Sequence, residues 1–385
     1  MVQANPAQGD GIERRVRYAS WRTDKEPSPG YSRELISDRV DPKDYDNLDV
    51  EANIGQEEDT ILNLFRRNVR ALGDAPFLGT RPQLPELDGR GKPQFGEYVW
   101  QSYTEASAIT ENFAKGMVKL DLSPEVEGEG KLWRFIGIWA KNRAEWTTTL
   151  LASMYYKITT VGFYDAMSTQ QVEFILNQTE MTSVVCTADY ADKILAMRKQ
   201  GMAGFLRNLV IMDKLDEANR ASAQELNINM YSYQEVVDAG SQWIDAPAFT
   251  FPEKNDVYIF SYTSGTTGDS KGVKLTHNNV LSNARCSKTR LPMAPGESVI
   301  SYLPYTHSFE QILFAFSMLQ QVRIGFYTGD PGKIVEDCGL LKPAIFPSVP
   351  RLYQRIYAKL KDRFDTATGC KKWLVDRALA AKQAN

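Results

Sequence analysis

Between Tyr262 and Gly272 the chain reads YTSGTTGDSKG. Glycines at 265, 268 and 272 let backbone N–H groups turn inward and approach an anion closely. Tyr262, Thr263, Ser264, Thr266 and Thr267 add hydroxyl donors, and Lys271 adds one compact positive charge suited to phosphate. The combination fits a polyphosphate. It is not a Walker A loop, which sets four residues between its glycines and follows the second directly with Lys-Ser or Lys-Thr; here two residues separate Gly265 from Gly268, and Lys271 comes three later. Nor is Ser264 a hydrolase nucleophile, because no G-x-S-x-G surrounds it. The competing reading is a flexible Gly/Ser/Thr linker. The apolar run Val257–Phe260 directly before the loop and the single lysine framed by glycines argue for the anion site.

The chain has two histidines, His277 and His307. A multi-histidine metal centre is therefore excluded, and no metal ligand is assigned. His307 lies in SYLPYTHSFEQ, where it is either a buried residue satisfied by backbone or a group facing substrate. His277 reads as structural, ending the strand-like GVKL through a local hydrogen bond. Glu310 either orients His307 or is an exposed carboxylate at a helix start. Arg351 either pairs with a carboxylate or packs at the start of a helix.

The elements that must position these groups alternate. Short apolar runs FIGIWA (135–140), TTVGFY (159–164), SVVCTA (183–188) and NLVIMD (208–213) are separated by helical stretches such as AEWTTTLLASMYY and TQQVEFILNQT. This predicts βαβ units and a parallel sheet. A second series runs through VYIFSYTSG, SVISYLP (298–304), RIGFYTG (323–329) and AIFPSVP (344–350). Turn-rich VVDAGSQWIDAPAFTFPEKND lies between the two. The helical pattern DTILNLFRRNVRALGD, closed by Gly73, opens the folded part. We therefore expect an α/β fold of stacked βαβ subdomains: a polar N-terminal arm over 1–58, a first subdomain over 59–250, and a second beginning over 251–385. In parallel sheets ligands gather beyond the carboxyl ends of strands, which is where the Tyr262–Gly272 loop, LPYTHSFEQ and FPSVPRLYQRIY fall.

Bulk composition narrows the function classes. Apolar content of 43% and charged content of 24% over 385 residues are those of a globular protein. A net charge of -3 argues against nucleic-acid binding through a basic surface. Cys186, Cys286, Cys338 and Cys370 are far apart and show neither disulfide nor zinc spacing, so a reducing compartment is expected. The longest apolar run, ILFAFSML, is too short to span a membrane. Arginines at 14, 15 and 17 lack an apolar stretch after them, and Asp10 and Glu13 argue against a transit peptide. The expected location is the cytoplasm, with peripheral contact on an organelle membrane as the variant.

YTSGTTGDSKGVKLTHNN resembles the adenylate-forming superfamily of acyl-CoA synthetases, luciferases and peptide-synthetase adenylation domains. SYLPYTHSFEQ, IGFYTGD, AIFPSVPRLYQRIY, GIWAKNRAEW and VGFYDAMSTQQVEFIL are similar to its long-chain fatty-acid branch, from about residue 60 onward. The resemblance implies ATP, Mg²⁺ and CoA, with a long-chain fatty acid activated to acyl-AMP and then acyl-CoA. It implies that Thr263, Ser264, Gly265, Thr266, Thr267, Gly268 and Lys271 hold the β and γ phosphates of ATP, and that His307 stands near the carboxylate. Ser270 departs from a proline common there. Tyr305, Thr306 and Ser308 replace leucine, alanine and a bulky apolar residue, which leaves chain length open.

The resemblance stops at KKWLVDRALAAKQAN, before the family's Tyr-Gly-x-Thr-Glu segment, ribose-binding aspartate, hinge and C-terminal domain. The expectation is a ligase represented by its N-terminal part and inactive on its own. The alternative is a shortened, non-catalytic paralogue that binds lipid or protein. An incomplete second series is expected to leave a loose sheet edge, covered by a protein partner.

Overall fold

The computed structural model describes residues 19–30, 32–33, 35–37, 58–87, 89, 91–264 and 270–383. The chain divides into two units, Met1–Ile54 and Gly55–Asn385. In the first, β1 (Ala19–Trp21) and β2 (Leu35–Ser37) form an antiparallel pair. Most of the expected polar arm lies outside the described residues.

The second unit holds the expected α/β core. Its large sheet contains β8 (Lys131–Trp139), β9 (Thr159–Gly162), β10 (Ser183–Cys186), β11 (Asn208–Ile211), β12 (Asn229–Ser232), β13 (Val257–Ser264) and β14 (Ser270–Thr276) in the order β12-β11-β10-β8-β9-β13-β14. All neighbours from β12 to β13 are parallel, and β14 closes the edge antiparallel to β13. A short β7 (Glu125–Gly128) returns antiparallel on β8. Every residue of β9, β10 and β11 is buried, as a parallel sheet covered by helices on both faces requires.

Alternation along the strands divides the core into two clusters. Ile136, Ile138, Val185, Val210 and Ile259 join the side occupied by α1 (Ile61–Leu72), α2 (Tyr103–Lys119) and α3 (Ala144–Met154). Phe135, Trp139, Val184, Cys186 and Leu209 join the side of α4 (Thr169–Thr179) and α5 (Ala188–Lys199). Helix starts are fixed locally: Ser102 and Ser168 each form a reciprocal capping box with Glu105 and Gln171.

Sheet membership crosses residue 250 in both directions. β13 and β14 complete the sheet that β8 begins. A second sheet joins β15 (Ser298–Ser301) and β16 (Arg323–Phe326) to β3 (Pro76–Thr80) and β6 (Val99–Ser102), in the order β15-β16-β3-β6. The expected loose second series is thus not found in its strands: all four residues of β15 are buried. The expected strand AIFPSVP is absent. Only Ile345 makes a bridge, to Val299, because Pro347 and Pro350 cannot donate to a ladder. Its end instead starts α11 (Pro350–Asp365), followed by α12 (Gly369–Gln383). No residue of α11 is buried, and Tyr357, Trp373 and Leu374 are more than half exposed.

Candidate active site at the carboxyl ends of the parallel strands

The two flanks of the glycine-rich segment pair as antiparallel strands. Tyr262, Thr263 and Ser264 end β13, and Ser270, Lys271 and Gly272 begin β14. Gly265, Thr266, Thr267, Gly268 and Asp269 lie outside the described residues. The register opposes Thr263 to Lys271 and Tyr262 to Gly272. Directly opposed residues share a face, so Thr263 and Lys271 project together, and both are exposed. Tyr262 points to the other face. Its hydroxyl donates to Gln178 Oε1 at 2.7 Å and it is 2% exposed, so it anchors the strand and does not offer the donor that the sequence suggested. Burial pushes that phenol up to about 12.

Ser261, two residues before Thr263 and on the same face, ties this hairpin to the second marked segment. Its Oγ donates to the carbonyl of Thr306 at 2.6 Å. On the neighbouring strand Gly162 ends β9, and a Cβ placed there would come within 2.2 Å of Thr306 Cγ2. Only glycine allows the segment to approach so closely. Tyr305 stacks on Trp146 (centroids 4.6 Å apart, 12° between planes) and bonds Thr147 Oγ1 at 2.9 Å. The Leu303–His307 segment is therefore seated on the ends of β9 and β13 and on the first turn of α3.

His307 caps the helix that follows, α9 (Ser308–Gln320). Its Nδ1 accepts the Phe309 N–H at 3.2 Å, and its own N–H donates to Pro304 O at 2.8 Å. The ring is exposed, not buried. With Nδ1 accepting, the proton of the neutral ring sits on Nε2. His277 is the opposite case. It is fully buried, stacks on Tyr258 at 4.8 Å, and accepts the Ile61 N–H on Nδ1 at 3.3 Å. The structural role holds, but the bond reaches the start of α1 and is not local. Burial pushes its pKa down to about 3, against a smaller opposing pull from Asp256.

Glu310 is not the exposed helix-start carboxylate of one expectation, and it makes no direct bond to the His307 ring. It is 3% exposed, on the first turn of α9, and turned toward β15, where Ser301 Oγ donates to its Oε1. Burial pushes the carboxyl up to about 8 although the Ser301 bond pulls the other way. Arg351 is exposed at the start of α11. Asn142, Ser261 and Gly162 were missed by residue type. The signal that would have found Asn142 is its place immediately beyond the end of β8, where parallel sheets put their sites.

A cleft of about 520 Å³ opens beyond the ends of β8 and β16, lined by Lys141, Asn142, Arg143, Tyr190 and Tyr327. Its cations already have partners: Arg143 pairs with Glu145 and Asp213, and Lys141 donates to Gly329 O. Among the described residues no group of three His, Cys, Asp or Glu side chains could hold a metal ion, and no helix is long and apolar enough to cross a membrane.

The AMP-binding enzyme family matches residues 67–379 of the chain. Long-chain-fatty-acid–CoA ligase 5 of Rattus norvegicus is 30% identical over 329 residues, which is 84% of this chain and 45% of that protein. The chain thus spans about half the length of the curated relatives it matches. Among solved structures, the adenylation domain of a carboxylate reductase from Mycobacterium chelonae aligns with a TM-score of 0.67 at 19% identity, covering 83% of this chain and 50% of that one. An inhibitor-bound N-terminal domain of FACL13 from Mycobacterium tuberculosis gives 0.57 at 18%, covering 76% and 63%. At such identities these two show the fold, that of the N-terminal domain of adenylate-forming enzymes. With a family match over most of its residues, and with long-chain-fatty-acid–CoA ligases as its curated relatives, the chain belongs to the AMP-binding enzyme family.

Proposed function

We propose that this chain contributes the phosphate-holding loop and the carboxylate-facing histidine of an enzyme that activates long-chain fatty acids with ATP and CoA. One observation carries the reading: a single face of the β13–β14 hairpin presents Thr263 and Lys271, and Ser261 on that face is bonded to the residue before His307. Thr263, Ser264, Gly265, Thr266, Thr267, Gly268 and Lys271 hold the β and γ phosphates, and His307 meets the carboxylate through Nε2. The long-chain substrate follows the name of the curated relatives.

A fatty-acid carboxylate and the ATP α-phosphate repel, so the site must neutralise charge and align the reactants. The carboxylate oxygen attacks the α-phosphorus, the bond to the β-phosphate oxygen breaks, and pyrophosphate leaves. The CoA sulfur then attacks the acyl carbon of acyl-AMP, and AMP departs with the electron pair of the broken C–O bond. Lys271 stabilises the charge on departing pyrophosphate. Mg²⁺ would add positive charge on the phosphates.

The test is ATP–pyrophosphate exchange by the protein that contains this chain. Exchange that requires palmitate supports the reading; exchange driven by an amino acid or aryl acid and indifferent to palmitate overturns the substrate. A second reading, a non-catalytic component that contacts lipid or protein at a cytoplasmic membrane face, has the exposed apolar side chains of α11 and α12 in its favour. Vesicle binding without any exchange would select it.

A further inference from the structure

We propose that Asn142 and Glu310 are positioning residues that together hold the Leu303–His307 segment over the carboxyl ends of β8, β9 and β13, and so fix where His307 is presented. The inference rests on the reading of His307 given above.

Asn142 lies just past β8 and is 6% exposed. Its amide contacts both ends of the turn that leads to His307. Nδ2 donates to Leu303 O at 2.6 Å and to Ser301 Oγ at 2.8 Å, and reaches Glu310 Oε1 at 3.3 Å; Oδ1 accepts the Tyr305 N–H at 3.2 Å. An amide serves both polarities, so no apolar residue of the same size replaces it. Glu310 closes the arrangement from the other side. It sits three residues after His307, on the helix that His307 caps, and its Oε1 gathers Ser301 and Asn142.

Packing does not explain a carboxyl in this place. Among the described residues no cation pairs with Glu310, and an unpaired buried carboxylate is costly, so the group is held as the neutral acid. Its Oε2 has no partner among the described residues, and Glu310 lines a void of about 10 Å³, room for a single water, with Leu313, Ser317 and Pro347. A leucine would fill the volume without a buried polar atom. What a leucine lacks is the bond to Ser301 and Asn142, which joins α9 to the end of β15 and to the loop after β8.

Two histidines in the chain make the test direct, because ¹⁵N-histidine NMR gives two ring patterns. His277, bonded to Ile61, reports an intact fold. His307 reports the segment, together with hydrogen exchange at the Phe309 amide, which neither positioning residue touches. With the rings neutral, the wild-type chain should show His307 as a single Nε2–H tautomer. In Asn142→Ala and in Glu310→Leu that pattern should become a mixture, and Phe309 exchange should rise about tenfold, the value of one hydrogen bond. Glu310→Gln keeps an acceptor and a donor and should restore the wild-type pattern, with exchange within about twofold. His277 should be unchanged throughout. An unaltered His307 in Asn142→Ala and Glu310→Leu overturns the proposal. So does a change shared equally by His277, which would make the two residues part of the general core, and so does failure of Glu310→Gln to restore the pattern. No nucleotide is present, so a negative exchange assay alongside these results would remove the enzymatic reading and leave the positioning intact.

Discussion

The ends of β8, β9 and β13 and the helix pair α11–α12 are built by opposite rules. At the strand ends side chains find partners in distant parts of the chain: Trp146 with Tyr305, Ser261 with Thr306, Asn142 with Leu303 and Tyr305. In α11–α12 the ion pairs are local. Lys361 pairs with Asp365 and Lys372 with Asp376, one turn apart on exposed helix. Across residues 350–383 nine lysines and arginines face three aspartates, whereas the whole chain carries a net charge of -3. The strand ends are stabilised by burial and shape; the helix pair rests on propensity and exposed ion pairs, which contribute little. Precision is invested where His307 is placed.

The sharpest way to break this contrast is to truncate one tryptophan in each region. Trp146 is fully buried, and Trp146→Ala should cost about 3–5 kcal/mol, seen as a lower urea midpoint or a failure to fold. A loss below about 1 kcal/mol would show that the Tyr305 seat is soft.

Next in size is the pH dependence set by Glu310 and His277. Glu310 is raised to about 8 in the fold, so its neutral form is favoured there. Its contribution is fully present below its ordinary value near 4.5 and is lost as pH rises toward 8, on the order of a few kcal/mol. The neighbouring titratable groups that feel it are Tyr302, Tyr305 and Tyr327, all held neutral by burial. His277 is lowered to about 3, so stability is present above 6.5 and is lost as pH falls from 6.5 to 3. Between 4.5 and 6.5 the two slopes oppose. Glu310→Gln should remove the alkaline loss and leave the acid loss; unfolding followed from pH 4 to 8.5 checks it, and an unchanged alkaline limb would contradict the assignment.

Gly162→Ala should cost about 1–3 kcal/mol, because the new Cβ would meet Thr306 Cγ2 at 2.2 Å. The His307 NMR signal should move with it while His277 stays. At the small end, Trp373→Ala in α12, where the ring is 59% exposed, should change stability by less than about 0.5 kcal/mol. A larger cost would mean that the helix pair is anchored more firmly than its exposure indicates.

The same contrast explains what could be read from sequence. β9, β10 and β11 were legible because a strand buried on both faces is a short unbroken apolar run. β14 was legible only in its strand-like GVKL end, since SKGVKLT carries two lysines and a glycine and is completed by pairing with β13. β3 was invisible for the same reason, its parallel partner β16 lying more than 200 residues on, and β6 pairs with β3 in turn. At the site, Lys271 and His307 stood out by type and spacing. Asn142 and Ser261 are ordinary polar residues until folding sets them against a segment 163 and 45 residues away. Glu310 misled because a helix-start carboxylate usually faces water, and here the turn of α9 directs it under β15.

The segment joining β13 and β14 is proposed to hold phosphates, with Lys271 taking part. Calorimetric titration of the 385-residue chain with pyrophosphate and Mg²⁺, repeated for Lys271→Ala, tests it most directly. Binding should be saturable and weaken about tenfold in the variant, the value of a charge-assisted contact, with no change in unfolding midpoint. Equal binding by both proteins, or none by either, would contradict it.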